Sequence, residues 1–309
     1  MAPNNITGLG SVSGLGSLTA IDLTPYFGYI SGGYNNAGTL TKWNMTSDTS
    51  STTSSSLTTT NLDYQAGHAN TPVAGYIQGG EGTTFGNKIS FPTDTITSIQ
   101  AMTTARTGTR SGAANSGTAG YVFGGSTSTT INKLTYSNDT SANAAGTLAA
   151  NSVYGCAHSN NGIAAYSVRG ASPTAASNGG EKFPYSTDTR SAFVNYLTNN
   201  YGSTAFANSG TAGYVVLGYN GSSFLNTLNK LPYSTDTASL LGATLSSART
   251  FSAGFARSGT AGYVAQGNGN SGQVGTVDKL TFSNETMSTP AATVRAHQAN
   301  ASFANSGTL

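Results

Sequence analysis

Among 309 residues there is a single cysteine, Cys156, so neither an intramolecular disulfide framework nor a site built from several thiolates is open to this chain. Charge is almost as scarce. Asp, Glu, Lys and Arg make 8% of the residues, against about a quarter in ordinary globular domains, and the formal net charge is +2. With no Lys/Arg cluster, no nucleic-acid partner is expected. No run approaches 18 consecutive apolar residues, so no membrane span is expected either. The opening MAPNNITGLG lacks the basic and apolar regions of a secretory signal. Sparse charge with abundant Gly, Ser and Thr could mean disorder, but 16 Tyr and 12 Phe at regular intervals point to a packed β fold.

Two motifs recur. The first is a Tyr-centred apolar run ending in glycine: GYISGG from Gly28, GYIQGG from Gly75, GYVFGG from Gly120, AYSVRG from Ala165, GYVVLG from Gly213 and GYVAQG from Gly262. Its tyrosines fall at 29, 76, 121, 166, 214 and 263, in steps of 45 to 49. The second motif is Lys-apolar-x-aromatic followed by a polar turn: KWNMTSDT from Lys42, KISFPTDT from Lys88, KLTYSNDT from Lys133, KFPYSTDT from Lys182, KLPYSTDT from Lys230 and KLTFSNET from Lys279. Six copies of each, in one phase, define six structural units.

Each unit reads as four short strands. The Gly-Tyr run has the content of a buried strand with a tight turn after it, and the Lys motif alternates with period 2. A third strand is expected around Leu57, Ile99, Leu148, Leu197, Leu245 and Val294, and a fourth before each NSGTAGY-like segment, as in Ser252–Thr260. Four strands per period of this length predict an all-β fold, a six-bladed β-propeller. The chain stops at Asn305-Ser306-Gly307-Thr308-Leu309, which elsewhere precedes Ala-Gly-Tyr, so the strand near Tyr26–Gly33 should follow it in space. N- and C-terminal strands are therefore expected to share one blade and close the ring. The glycine doublets (Gly32-Gly33, Gly79-Gly80, Gly124-Gly125) with spaced aromatics resemble the kelch family, and in particular the kelch-like propellers of bacteriophage virion proteins. The resemblance covers about residues 26–309. The downstream tryptophan of the kelch pattern is mostly absent, Trp43 being the only one.

All six lysines are motif lysines, and Asp48, Asp94, Asp139, Asp188, Asp236 and Glu285 hold the matching turn position. A charge repeated by the scaffold is read as structural: an acid accepting backbone N–H bonds in its turn, and a lysine pairing locally or shielding an edge. Asp22, Asp63, Glu81, Glu181 and Asp278 lie outside that pattern and form no carboxylate pair. His68 and His158 occupy one repeat position, eight before the motif Tyr, which elsewhere holds Ala113, Phe206, Phe255 and Phe303. That slot reads as packing; His297 falls elsewhere. Cys156 lies close to His158, the one feature that keeps a kelch-type copper-radical oxidase as a distant alternative, but no ligand spacing supports a metal. No nucleophile elbow or phosphate cradle is present, and no catalytic residue, metal or cofactor is expected.

Residues 1–25 stand outside the repeats. Ile6, Leu9, Val12, Leu15, Leu18 and Ile21 recur every third position among glycines, which fits an extended threefold conformation with one apolar edge rather than a helix. Such an arm is expected to order on docking to other virion proteins or to further copies of the chain. The functional expectation is a non-enzymatic structural or interaction protein of a bacteriophage virion, tail-associated, in a fibre or baseplate, or as head decoration. It would be made in the host cytoplasm and anchored by its arm. The alternative is a host-surface glycan-binding module using the loops at Tyr34, Asn35, Asn36, Tyr201, Tyr219 and Asn220.

Overall fold

The computed structural model describes residues 26–31, 33, 38–58, 63–108, 111–126, 128–170, 177–298 and 301–306. The six apolar positions of the arm, from Ile6 to Ile21, and the loop residues Tyr34, Asn35 and Asn36 lie outside them.

The described chain forms six antiparallel sheets. From inner to outer strand, the second blade runs Ala66–Asn70, Ala74–Gln78, Gly86–Ser90 and Thr95–Ser98. The third is Ser111–Asn115, Ala119–Phe123, Thr130–Thr135 and Thr140–Thr147. The fourth is Cys156–Asn160, Ala164–Val168, Ser177–Pro184 and Ala192–Asn200. The fifth is Thr204–Asn208, Ala212–Val216, Thr227–Pro232 and Ser239–Thr244. The sixth is Ala253–Arg257, Ala261–Gly269, Gly272–Thr281 and Thr286–Ser288, with Arg249–Thr250 added beside its second strand. The first blade joins both ends of the chain: Ser302–Ala304 is its inner strand, before Phe27–Ser31, Thr39–Asn44 and Thr49–Ser56. Tyr29 pairs with Phe303 there, and Phe27 N–H donates to Asn305 Oδ1 at 2.7 Å. The chain is a six-bladed β-propeller.

One strand lies elsewhere than its expected place. In five blades the outer strand precedes the apolar marker: Thr49–Ser56, for example, ends before Leu57. It is a Ser/Thr run with most side chains in water, held by the β-branched preference of Thr and by pairing on one edge, so it carries no apolar alternation. Leu57, Leu148, Leu245 and Val294 follow their strands and turn back into the core. Leu197 alone falls within its strand.

Blades adhere through aromatic stacks. The motif Tyr of each blade faces the slot residue of its own inner strand and, in five blades, the motif aromatic of the next: Tyr29 lies between Phe303 and Phe91, both at 5.3 Å, and Tyr214 between Phe206 and Phe282, both at 5.4 Å. Where the slot is histidine, the next blade's aromatic is tyrosine, and the two hydrogen-bond: His68 Nδ1 with Tyr136 OH and His158 Nδ1 with Tyr233 OH, both at 3.0 Å. The slot ring lies against the residue before the following blade's Tyr, which must be small. A Cβ at Gly75 would overlap the Phe303 ring, and one at Gly213 the His158 ring. The blade with Ala113 in the slot is followed by the one with Ala165 in place of that glycine. At about 2–3 kcal/mol per buried aromatic side chain, these stacks are the main cement of the ring.

A second set of ties corrects the local reading of the lysines. Each motif lysine reaches the turn acid of the next blade: Lys42–Asp94 at 2.7 Å, Lys88–Asp139 at 2.8 Å, Lys133–Asp188, Lys182–Asp236, Lys230–Glu285, and Lys279–Asp48 at 2.6 Å, which closes the circle. The motif tyrosine of the lysine's blade donates to the same carboxylate, as Tyr29 does to Asp94 at 2.8 Å and Tyr263 to Asp48 at 3.0 Å. The acid reaches across the blade boundary because its backbone is left-handed, with φ of 52–53° at all six positions. Burial, together with the carboxylate, holds the Tyr29 and Tyr263 phenols well above their ordinary pKa, so they remain donors.

Glu181 and Asp278 also belong to the repeat, at the position before the motif lysine that Asn87, Asn132 and Asn229 hold in other blades. All five are buried. Four of them accept a backbone N–H from the loop after the preceding blade's outer strand: Thr58 to Asn87, Thr103 to Asn132, Ala149 to Glu181 and Ser246 to Asp278.

Candidate functional site

Antiparallel order places the inner-to-second and third-to-outer turns of every blade on one face, and the second-to-third loops and blade crossovers on the other. The turn face satisfies itself. Asn70, Asn115, Asn160 and Asn208 accept the N–H of Gly117, Gly162, Gly210 and Gly259 in the next blade at 2.8–3.2 Å, and the lysine–acid ties lie on the same side. The loop face holds the irregular residues, and it is there that side chains converge without a repeat-wide structural role.

The convergence starts in the backbone. Just before the inner strands, Tyr64, Gly108, Tyr154, Gly202 and Phe251 all have φ between 53° and 68°. The last four are bonded in sequence: Tyr154 N–H to Gly108 O at 2.9 Å, Gly202 N–H to Tyr154 O at 3.0 Å and Phe251 N–H to Gly202 O at 2.7 Å. They form a collar around the mouth of the hub. Glycine accepts this conformation without penalty, whereas a side chain there costs about 1–2 kcal/mol. Gly202 is further constrained, since a Cβ would meet Thr250 Oγ1 and the Phe251 ring. Three aromatic residues nevertheless adopt it, and strain of this kind clusters at functional positions.

Their rings meet over the mouth. Tyr64, Tyr154 and Phe251, from alternate blades, have centroids 4.5, 5.5 and 5.7 Å apart. Tyr201 packs 5.2 Å from Tyr154 and 5.3 Å from Phe251, with Tyr219 at 6.4 Å beyond it and Phe224 at 5.3 Å beyond that. Tyr64, Tyr154, Tyr201, Tyr219 and Phe224 are half-buried, and Phe251 lies beneath them, buried. Two acids stand at the same mouth. Burial raises the Asp63 carboxyl; it also raises Glu81, where the Gly108 N–H acts in the opposite sense and Asp63 in the same one. The Tyr154 phenol is raised by burial first and by Tyr201, Glu81 and Asp63 after it. Such a surface offers ring faces for stacking, hydroxyl groups for hydrogen bonds and a negative rim.

Of the expected loop residues, Tyr201 and Tyr219 are brought together here. Asn220 Oδ1 is engaged within its own turn, where it accepts the N–H groups of Ser222 and Ser223, both at 2.9 Å. Tyr64, Tyr154 and Phe251 were not expected. Their signal was an aromatic four residues before the slot, present in the repeats of His68, His158 and Phe255.

The histidines and Cys156 do not gather. His68 and His158 are fully buried in different blades, and their second ring nitrogens are bonded to Gln78 Oε1 at 3.0 Å and to Tyr196 OH at 3.1 Å. Burial lowers their pKa to about 4 and about 3. His297 lies on a crossover loop, and Cys156 Sγ accepts from Ser203 Oγ at 3.3 Å. Among the described residues no group of three or more His, Cys, Asp and Glu is placed to hold a metal ion. No described helix is long and apolar enough to cross a membrane.

No protein-family profile matches this sequence, and a search of curated proteins gives no significant match. Among solved structures, that of YjhT superposes with a TM-score of 0.64 at 12% sequence identity, covering 79% of this chain and 87% of that one. At this identity the likeness is one of fold, and what the comparison supports is the propeller.

Proposed function

We propose that this chain is a non-enzymatic interaction protein: a rigid ring that presents its loop face to a partner. The setting is the one implied by the resemblance of its motifs to kelch-like phage propellers, a bacteriophage particle on which residues 1–25 serve as the anchor. The observation that carries the reading is the use of the repeated charges. All six lysines and all six turn acids are spent on ties between blades, so the scaffold's polar chemistry is structural and only the loop face is left irregular. Mass spectrometry of purified particles tests it. The chain is expected in them at fixed stoichiometry, and deletion of residues 2–25 is expected to remove it. Its absence from particles overturns the reading.

A second reading is favoured by the aromatic mouth: recognition of a host-surface glycan. Half-buried tyrosines around a negative rim suit stacking on a sugar ring and hydrogen bonding to its hydroxyl groups. Titration with the host's surface polysaccharide is expected to saturate, and Tyr201→Ala or Tyr219→Ala to weaken binding at least tenfold. A flat titration of the unaltered protein removes this reading and leaves the first in place.

A further inference from the structure

Two arginines occupy one repeat position under the loop face, and the molecule treats them differently. Arg249, fully buried, donates to Val264 O at 3.1 Å and to the Asp278 carboxylate at 2.8 Å. Arg106 is equally enclosed, at 2% exposure. Its Nη1 reaches Val122 O at 3.4 Å, Gly124 O at 3.1 Å and Thr130 O at 2.9 Å. The two sites correspond strand for strand: Asp278 pairs with Val264 and accepts the Ser246 N–H, while Asn132 pairs with Val122 and accepts the Thr103 N–H. Where one site has a carboxylate, the other has a neutral amide.

The consequence is a buried cation without a counter-charge among the described residues. Among the described residues, Arg106 Nε and Nη2 have no hydrogen-bond partner, and neither has Asn132 Nδ2. All three are donors. Glu81, brought close by the bond from Gly82 N–H to Arg106 O, is solvent-exposed and takes its hydrogen bond from the Gly108 N–H. Carbonyl dipoles compensate part of the charge, but a guanidinium removed from water without an anion is strongly disfavoured. A water molecule would satisfy donors; only an anion would also supply the charge.

We propose that Arg106 and Asn132 form a binding site for a small monovalent anion of chloride size, which lies beside the Asn132 amide and supplies the negative charge that the Asp278 carboxylate brings to the sixth blade. The ligand accepts from Arg106 Nε and Nη2 and Asn132 Nδ2, and it stabilises the loop face between the second and third blades. The inference is independent of what binds at the aromatic mouth.

The test pairs bromide with a built-in substitute. Crystals grown or soaked in sodium bromide are expected to show an anomalous peak within hydrogen-bonding distance of Arg106 Nε. At constant ionic strength, melting temperature is expected to rise by about 2 °C for each tenfold increase of chloride or bromide above the dissociation constant, with gluconate as the non-binding salt. Asn132→Asp should supply the carboxylate internally, abolish the anomalous peak and leave melting indifferent to halide. Arg106→Gln should also remove the halide dependence. If Asn132→Asp does not fold, the bromide peak and halide series on the unaltered protein decide alone. A water-like feature with no anomalous signal, together with halide-independent melting, overturns the proposal.

Discussion

Asp139 allows the ties between blades to be measured one at a time. Its carboxylate accepts from Tyr76 OH at 3.0 Å and Lys88 Nζ at 2.8 Å, both in the preceding blade, while its own backbone holds φ at 53°. Asp139→Asn keeps the shape and the tolerance of left-handed backbone but removes the anion. Charge-assisted hydrogen bonds contribute about 1.5–3 kcal/mol when shielded, and exposed ion pairs under about 1 kcal/mol. With Lys88 and Asp139 side chains 25% and 28% exposed, a loss of about 1–2 kcal/mol is expected. Asp139→Ala loses the same contacts and adds the cost of φ > 0 on alanine, about 1 kcal/mol more, for about 2–3 kcal/mol in all. Asp139→Gly removes the contacts without that backbone cost and should fall about 1 kcal/mol above Asp139→Ala. Urea unfolding followed by circular dichroism and by Trp43 fluorescence measures the series, since Trp43 is buried in the first blade. The reasoning is refuted if Asp139→Ala lies within about 0.5 kcal/mol of the unaltered protein, or if Asn and Ala cannot be told apart.

Acid should weaken the ring through its histidines. His68 and His158 are neutral when folded, at about 4 and about 3, whereas the unfolded chain protonates near 6.5; stability is therefore full above pH 6.5 and falls below it by about 1.4 kcal/mol per pH unit for each. Replacing His68 and Tyr136 together by Phe, the pair used in the first and fifth interfaces, should remove one proton from the slope of stability against pH; an unchanged slope refutes the assignment. Gly75→Ala should destabilise by about 2 kcal/mol or more by overlap with the Phe303 ring, and it should cost little once Phe303→Ala is present, an epistasis readable by denaturant unfolding. Asp278→Asn strands Arg249 in a fully buried site and should cost about 3–5 kcal/mol by thermal or urea unfolding; under 1 kcal/mol would mean that the pair is dispensable.

Blade number, closure and the inner three strands were legible because each is marked by residues that recur for steric reasons: the Tyr that fills the stack, the Gly that admits a ring, the acid that turns the backbone. The His–Tyr and Phe–Phe combinations were legible too, had slot and motif aromatic been compared between neighbouring units: His68 goes with Tyr136 and Phe206 with Phe282. The outer strand was harder to place. Thr49–Ser56 is held by edge pairing, which leaves no apolar period, and Leu57 behind it marked the core rather than the strand. The partner of each lysine was hidden for another reason. Sequence fixes that Lys88 and Asp94 share a motif, but only the packing of neighbouring blades shows Lys88 turned towards Asp139. At the mouth, Tyr201 and Tyr219 stood out by composition, while Tyr64, Tyr154 and Phe251 were marked only by an aromatic four residues before the slot in alternate repeats, a spacing that does not announce their left-handed backbone.

Joining the first blade from both ends has a kinetic corollary. During synthesis Tyr29 is among the first core side chains to emerge and Phe303 among the last, so the partner of its stack arrives only when five other sheets can already have formed. Bringing Phe27 to Asn305 closes a span of 278 residues, and the added entropy relative to a single unit is only about 1.6 kcal/mol. The seam is thus thermodynamically cheap but temporally last, held by a three-residue strand. Heat, a pulling force or a protease should find the molecule first at that seam, and a permuted chain with its ends moved to a crossover loop should unzip more slowly than the natural order.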